Sequence, residues 1–153
     1  MQTIGTLPPK VVGNEEGHVF PAPGTRLQQK LNSSDTGGQY TFHASEIQPG
    51  FGPPMHIHTL EDELFYVLEG QVEFTIDGKT VLATAGTTLF APRGVPHKFV
   101  GAGDTASKML GMSLGSNFES FYEKLSAAVS APCPDIHTIQ MAAKEHGIVL
   151  VQE

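Results

Sequence analysis

The 153-residue sequence has no tryptophan and a single cysteine, Cys133, which lies between two prolines in an expected exposed loop. One cysteine excludes an intrachain disulfide and makes a reducing cytoplasm the expected location. No run approaches the roughly 18 apolar residues of a membrane span. Residues 1–10 contain two prolines and no apolar segment typical of a secretion signal. We therefore expect neither membrane insertion nor secretion.

Positive charge is also scarce. Nine basic residues against 16 acidic ones give a formal net charge of −7, and no Lys/Arg cluster occurs in the sequence. Binding to nucleic acid needs such a cluster, so that class of partner is not expected. The negative charge mainly favours solubility.

Turn-forming residues are plentiful. The sequence has 17 glycines and 11 prolines, and helix-forming runs are scarce before residue 116. Many turns between short strands indicate an all-β fold, and the length fits one domain. We predict a barrel over about residues 36–115, preceded by an irregular N-terminal arm over 1–35 with one or two short strands. Two short helices are predicted over about 116–147.

Local signals support this division. A hairpin over residues 71–83 turns at Asp77-Gly78, a pair that fits a two-residue type I′ turn. In that register Phe74 lies opposite Val81, and one face of the hairpin is fully apolar, as a barrel wall requires. Further along, residues 116–119 have the sequence of a capping box. Asp135 can cap a second helix that stops at Gly147.

Three histidines form the core of a candidate metal site. His56 and His58 are separated by one residue, so on a strand both side chains face the same side. His97 must arrive from a distant strand, and the turn over residues 92–96, with proline at both ends, could hold it in place. Imidazole nitrogens suit zinc, copper, iron and nickel.

Glu63 is the candidate carboxylate of this site. It lies five positions after His58, an odd offset that would turn it away from the histidines on one continuous strand. A turn within the polar residues 59–62 could bring the Glu63 carboxylate back. Glu63 can then be a metal ligand, a hydrogen-bond acceptor behind the ligands or a proton-transfer base. Glu61 and Asp62 are nearby carboxylates that could compete for the same role.

The spacing of these residues resembles the two motifs of the cupin superfamily. The first motif is matched at every anchor by Gly50-(5)-His56-(1)-His58-(4)-Glu63-(6)-Gly70, and the second by Gly86-(5)-Pro92-(1)-Gly94-(2)-His97. The resemblance implies a jelly-roll β-barrel that binds one divalent transition metal ion on His56, His58, Glu63 and His97. It does not choose among Fe, Mn, Ni, Co, Cu and Zn. Gly101 departs from the second motif, which usually ends in an asparagine that is a turn residue and not a ligand.

A narrower resemblance concerns function. Residues 36–38, 52–54, 65–70 and 117–122 are similar to the quercetin-dioxygenase-like branch of single-cupin proteins, and the short distance between the motifs resembles small bacterial cupins. This implies a metal-dependent dioxygenase acting on a small aromatic or enolic compound, with Glu63 as metal ligand or as the base for the substrate hydroxyl. A non-redox isomerase and a small-molecule-binding module without turnover stay open as alternatives. A storage role fits least, since such cupins often lose the metal histidines. The resemblance also implies a homodimer, with the N-terminal arm or the helices as contacts.

An apolar cavity should surround the metal. Three residues share the strand parity of the predicted ligands and either line this cavity or fill the core: Phe65, Val67 and Phe99. Three others can contribute, although their strand registers are less defined: Phe42, Phe74 and Met109. Such a pocket suits an aromatic or enolic ligand better than a highly charged one. The remaining histidines match neither motif and are expected to be surface or core residues: His18, His43, His137 and His146.

Overall fold

The computed structural model describes residues 6–115 and 118–152. Its strands are β1 (His18–Ala22), β2 (Thr25–Leu31), β3 (Tyr40–Ile47), β4 (His56–His58), β5 (Asp62–Glu69), β6 (Gln71–Ile76), β7 (Lys79–Thr84), β8 (Thr88–Ala91), β9 (His97–Ala102), β10 (Ser107–Leu114) and β11 (Ile148–Leu150). A 3₁₀ turn covers Ser33–Thr36, and two helices follow the barrel, α1 (Phe118–Val129) and α2 (Ile136–Glu145).

Two antiparallel sheets form the barrel. One sheet has the strand order β1-β2-β3-β10-β5-β8 and the other the order β11-β4-β9-β6-β7. Strand β3 shows the alternation expected of a barrel wall, because every second residue from Thr41 to Ile47 is buried. The apolar core between the sheets consists of Ile47, Phe65, Val67, Val72, Phe74, Ala83, Ala91 and Met109. The predicted all-β jelly-roll with two C-terminal helices is confirmed.

The β6–β7 hairpin has the predicted register, with Phe74 opposite Val81. Asp77 and Gly78 both have positive φ angles, of 48° and 73°, as a type I′ turn requires. The predicted apolar face is present, with Val72 opposite Ala83, although Val81 on this face is 46% exposed. The reason is that β7 is the edge strand of its sheet, where no neighbouring strand covers the far end of the hairpin.

The sheets extend beyond the predicted barrel at both ends. Strands β1 and β2 form a hairpin that pairs with β3, so residues 18–31 of the predicted arm belong to the six-stranded sheet. After α2 the chain returns as β11 and pairs with β4, the strand that carries His56 and His58. This last strand is not predicted from the sequence. The pairing fixes the position of the helices over one end of the barrel.

The helices begin and end largely as predicted. The predicted capping box for α1 includes residues 116 and 117, which lie outside the described residues; the Glu119 carboxylate accepts hydrogen bonds from the backbone N–H and the hydroxyl of Ser33. Asp135 caps α2 by accepting from the backbone N–H groups of His137 and Thr138, and Gly147 has a positive φ just after the helix. Neither α1 nor α2 is long and apolar enough to cross a membrane.

Candidate metal centre

The four predicted ligands meet between the two sheets. His56 and His58 point inward from β4 while Ile57 between them is only half-buried, and His97 begins the neighbouring strand, where it pairs with His56. Glu63 lies on β5 in the opposite sheet. The chain leaves β4 at His58 and starts β5 at Asp62, so the predicted turn is present and corrects the parity of Glu63.

The ligand atoms of these four residues all lie within 4.8 Å of one another, and all four side chains are buried. Oε2 of Glu63 is 2.8 Å from Nε2 of His97 and 3.2 Å from Nε2 of His58. The carboxylate oxygen therefore lies among the imidazole nitrogens rather than behind them. Three imidazoles and one carboxylate match the donor set that divalent transition metals accept in proteins.

The far side of each imidazole ring is anchored by an acceptor. Nδ1 of His56 is 2.8 Å from the carbonyl oxygen of Pro54, and Nδ1 of His97 is 3.0 Å from that of Val95. A carbonyl oxygen can only accept, so Nδ1 of both rings carries the proton. Nε2 of each ring then points to the centre. Its lone pair is available on His56, and on His97 it becomes available once the proton donated to Glu63 is lost, as metal ligation requires.

Glu61 performs the same task for His58. Its Oε2 is 3.1 Å from Nδ1 of His58, and Glu61 is 1% exposed. The sequence alone leaves Glu61 as a competitor of Glu63 for the metal; the structure places Glu61 behind the ligand His58. Carboxylates in this position orient a ligating histidine and increase its basicity.

The electrostatics of the cluster favour a bound cation. Burial lowers the pKa of His56 to about 4, which keeps this ring neutral. Burial acts to raise the pKa of Glu63, but the hydrogen bond from His97 and the neighbouring histidines lower it to about 2. Burial also acts to lower the pKa of His97, but the hydrogen bond and the charge of Glu63 raise it overall. A divalent ion would replace the proton that His97 and Glu63 share.

A cavity of about 490 Å³ opens onto this cluster. Its walls come from both sheets and from α1, α2 and β11, and they are mostly apolar. The helices contribute aromatic and aliphatic side chains that include Phe118, Phe121, Tyr122, Leu125 and Ile139. The spacing of these residues in the sequence predicts helices but not a cavity wall. No feature of the sequence indicates which end of the barrel the helices cover.

Two of the six predicted cavity residues line this space, namely Phe65 and Phe99. The structure places three others in the apolar core, where they pack between the sheets: Val67, Phe74 and Met109. The prediction for Phe42 is wrong. The inward positions of β3 are the odd-numbered ones, so Phe42 faces the other side of the sheet. Cys133 is exposed.

One histidine without a motif is part of the cavity wall. His43 points inward from β3 and is 4% exposed, and burial lowers its pKa to about 4. In the sequence, its strand parity could be read, but nothing related β3 to the metal strands. The other three histidines outside the motifs do not line the cavity: His18, His137 and His146.

Fold and cluster together define a jelly-roll barrel with a buried site suited to a divalent metal. Residues 44–113 match the model of the cupin domain. The chain thus contains a segment similar to the cupin domain, and it shares its fold with solved cupin structures. No curated protein matches the chain.

Solved cupin structures resemble this chain in fold. A predicted oxalate decarboxylase from Thermotoga maritima is 25% identical, with 59% of this chain and 79% of that chain covered and a TM-score of 0.57. KdgF from Halomonas sp. is 17% identical, with 72% and 98% covered and a TM-score of 0.64. An RmlC-like cupin from Shewanella frigidimarina is 19% identical, with 74% and 98% covered and a TM-score of 0.62. The last two likenesses show the fold alone.

Proposed function

We propose that this protein is a metal-dependent dioxygenase that acts on a small, uncharged aromatic or enolic compound. The observation that carries the proposal is the mostly apolar cavity of about 490 Å³ that opens onto His56, His58 and Glu63, which form one buried cluster with His97. Its volume lies in the range of small-molecule sites. The sequence resemblance to the quercetin-dioxygenase-like branch supports the choice of reaction.

The lining of the cavity supports the choice of substrate class. Among the described residues, no lysine or arginine lines the cavity, so a phosphate or dicarboxylate would lack a cationic partner there. Phe65 and Phe99 lie 5.6 Å apart in an edge-to-face arrangement and offer aromatic surface beside the cluster. A planar, mostly apolar ring system is the ligand that such walls bind best.

In this proposal the residues of the cluster and of the cavity wall have different roles. His56, His58 and His97 would hold the metal, which when bound supplies Lewis acidity and, for a redox-active ion, access to oxygen chemistry. Glu63, whose Oε2 lies within 3.2 Å of Nε2 of both His58 and His97, would ligate the metal beside them and would act as the base for the substrate hydroxyl when the substrate binds. The apolar walls exclude water from the site, and this strengthens every electrostatic interaction within it.

Oxygen consumption tests this proposal. Protein loaded separately with iron, manganese, nickel, cobalt and copper would be assayed for oxygen uptake with 3-hydroxyflavone and simpler enols. We expect uptake by at least one metal form, and none by His58→Ala loaded in the same way. His137→Ala is the matched control, because His137 is exposed and lies outside the cavity. Uptake by the wild-type protein no faster than by His58→Ala would contradict the proposal.

A non-redox reaction is the second candidate, because the same donor set also suits zinc. In this case the metal only polarises a carbonyl group, as in an isomerase. Turnover of an enolisable ketone by the zinc-loaded protein under nitrogen would favour this candidate over the dioxygenase. Ligand binding without any chemical change would favour a binding module.

A further inference from the structure

His43 is a buried polar side chain in the wall of the cavity. Its ring is 4% exposed, lines the cavity and has no hydrogen-bond partner among the described residues. Its low pKa leaves the imidazole neutral, with one N–H donor and one acceptor nitrogen. Buried polar groups are nearly always paired, so an unpaired one that faces a cavity indicates a missing partner.

Strand β10, next to β3, has a glycine where the His43 ring packs against it. His43 on β3 pairs directly with Gly111 in the middle of β10, and Gly111 pairs in turn with Phe65 on β5. A Cβ atom on Gly111 would overlap Nε2 of His43, so the imidazole leans across β10 towards β5. Glycine inside a strand weakens it and often marks a close approach of another group. Here the close approach brings His43 to the side of the cavity where Glu63 lies.

Tyr122 provides a second polar group at the same place. Its ring lies 6.2 Å from that of His43 in an edge-to-face arrangement, and it also lines the cavity. The Tyr122 hydroxyl likewise has no hydrogen-bond partner among the described residues, and burial raises its pKa, so the hydroxyl stays protonated. Residues from the barrel and from α1 thus place two neutral polar groups in a wall that is otherwise mostly apolar.

We propose that His43 and Tyr122 form a second recognition point, which binds an oxygen of a planar ligand while another oxygen of the same ligand binds the metal. The chemical class of this ligand rests on the proposed function. The arrangement selects an aromatic or enolic molecule with at least two oxygen functions, since a purely apolar ring would leave His43 unpaired. His43 is a ligand-binding residue in this proposal and not a metal ligand.

Binding of 3-hydroxyflavone to the zinc-loaded protein tests the proposal without turnover. The variants are His43→Phe, which keeps an aromatic ring, and Gly111→Ala, which keeps the imidazole but displaces it. Tyr122→Phe removes only the hydroxyl. We expect dissociation constants for 3-hydroxyflavone five- to tenfold higher in each variant, the size of one lost hydrogen bond to a neutral group. The zinc affinity should stay within twofold of wild type, and His137→Phe should bind like wild type.

A spectroscopic signal separates recognition from a packing role. In protein labelled with ¹⁵N-histidine, the imidazole resonances missing from His43→Phe identify His43, and they should shift when 3-hydroxyflavone is added. Binding within twofold of wild type by both His43→Phe and Gly111→Ala would overturn the inference, as would an unchanged His43 resonance. A wild-type protein that does not bind 3-hydroxyflavone would overturn it as well.

The same experiment distinguishes this inference from the proposed function. If the His43 variants lose flavonol affinity while no metal form of the wild-type protein consumes oxygen, the recognition point stands and the dioxygenase proposal fails. If the wild-type protein consumes oxygen with flavonols and the His43 variants bind and react unchanged, the dioxygenase proposal stands and this inference fails.

Discussion

Nδ1 of His58 lies 3.1 Å from Oε2 of Glu61, and both side chains are 2% exposed. The pair connects the cluster to the loop between β4 and β5, which lies between His58 and the carboxylate of Glu63. A hydrogen bond to Nδ1 turns the Nε2 lone pair of His58 towards the centre. Glu61 therefore acts on the metal through His58.

Removal of the Glu61 acceptor should weaken metal binding. We expect Glu61→Leu to lower zinc affinity by about 10- to 100-fold, the usual effect of losing such a partner. Glu61→Gln keeps an acceptor oxygen and should recover part of this loss. Competition titrations with a chromophoric chelator would measure both. The exposed Glu73 provides the control Glu73→Leu, and equal zinc affinity of Glu61→Leu and this control would show that His58 needs no such anchor.

The metal site could be predicted because the residues that orient each ligand lie close to it in the sequence. His56, His58 and the turn before His97 each follow from strand parity or from rigid residues close by in sequence. The odd offset of Glu63 already required the turn that the structure contains between β4 and β5. The register of the β6–β7 hairpin was equally accessible, because a two-residue turn fixes it.

The cavity could not be predicted to the same degree, because its walls depend on pairings between strands that lie far apart in the sequence. His43 reaches the site only because β10 lies between β3 and β5 and has Gly111, which leaves space for the imidazole, directly opposite His43. Tyr122 lines the cavity only because β11 returns to pair with β4 and fixes the helices over the barrel. Neither pairing leaves a spacing signal in one sequence. Phe42 was misplaced for the same reason, since one step of register exchanges the two faces of a strand.

Substitution of Glu63 should separate its two possible roles. Oε2 of Glu63 lies among the Nε2 atoms of His58 and His97, so we expect it to ligate the metal. Glu63→Gln should then lower zinc affinity more than tenfold and abolish oxygen uptake. Zinc titration and the oxygen assay on the same preparation would measure both. Zinc affinity within threefold of wild type, with oxygen uptake lost, would instead assign Glu63 as a base only.

Acid should destabilise the metal-free protein. Burial lowers the pKa of His43 and His56 from 6.5 to about 4. Between these values the unfolded chain takes up protons that the folded chain does not, so this stability is present above pH 6.5 and is lost as the pH falls towards 4. The pKa of Glu63, lowered to about 2, extends the loss below pH 4.5. The raised pKa of His97 acts in the opposite sense and contributes stability that is lost as the pH rises.

The contribution of His43 to this pH-dependent loss of stability can be measured by comparing wild type with a His43 variant. Melting temperatures in the presence of EDTA, taken between pH 7 and 4.5, should fall less steeply for His43→Phe than for wild type. Phenylalanine does not titrate, so the difference between the two curves belongs to His43 alone. Parallel curves over this range would show that His43 takes up its proton equally in both states.

Gly101 occupies the position where the second cupin motif usually has asparagine, and restoring that asparagine should destabilise this chain. The carbonyl oxygen of Gly101 accepts from the backbone N–H of Gly50, and its own N–H donates to Phe51, so the loop after β3 runs directly against β9. A Cβ atom on Gly101 would overlap the backbone oxygen of Gln48, which cannot rotate away.

We expect Gly101→Asn to cost about 1–3 kcal/mol, the usual range for forcing extra atoms into a packed site. For a chain of this size this corresponds to a melting temperature lower by roughly 2–10 °C. Gly78→Asn is the matched control, because a side chain at Gly78 meets nothing within 4 Å and asparagine tolerates its positive φ. If Gly101→Asn melts at the temperature of this control, the close approach of the loop does not explain the departure from the motif. Because Gly52 on this loop packs against the backbone of Phe99, a shifted loop should also weaken 3-hydroxyflavone binding.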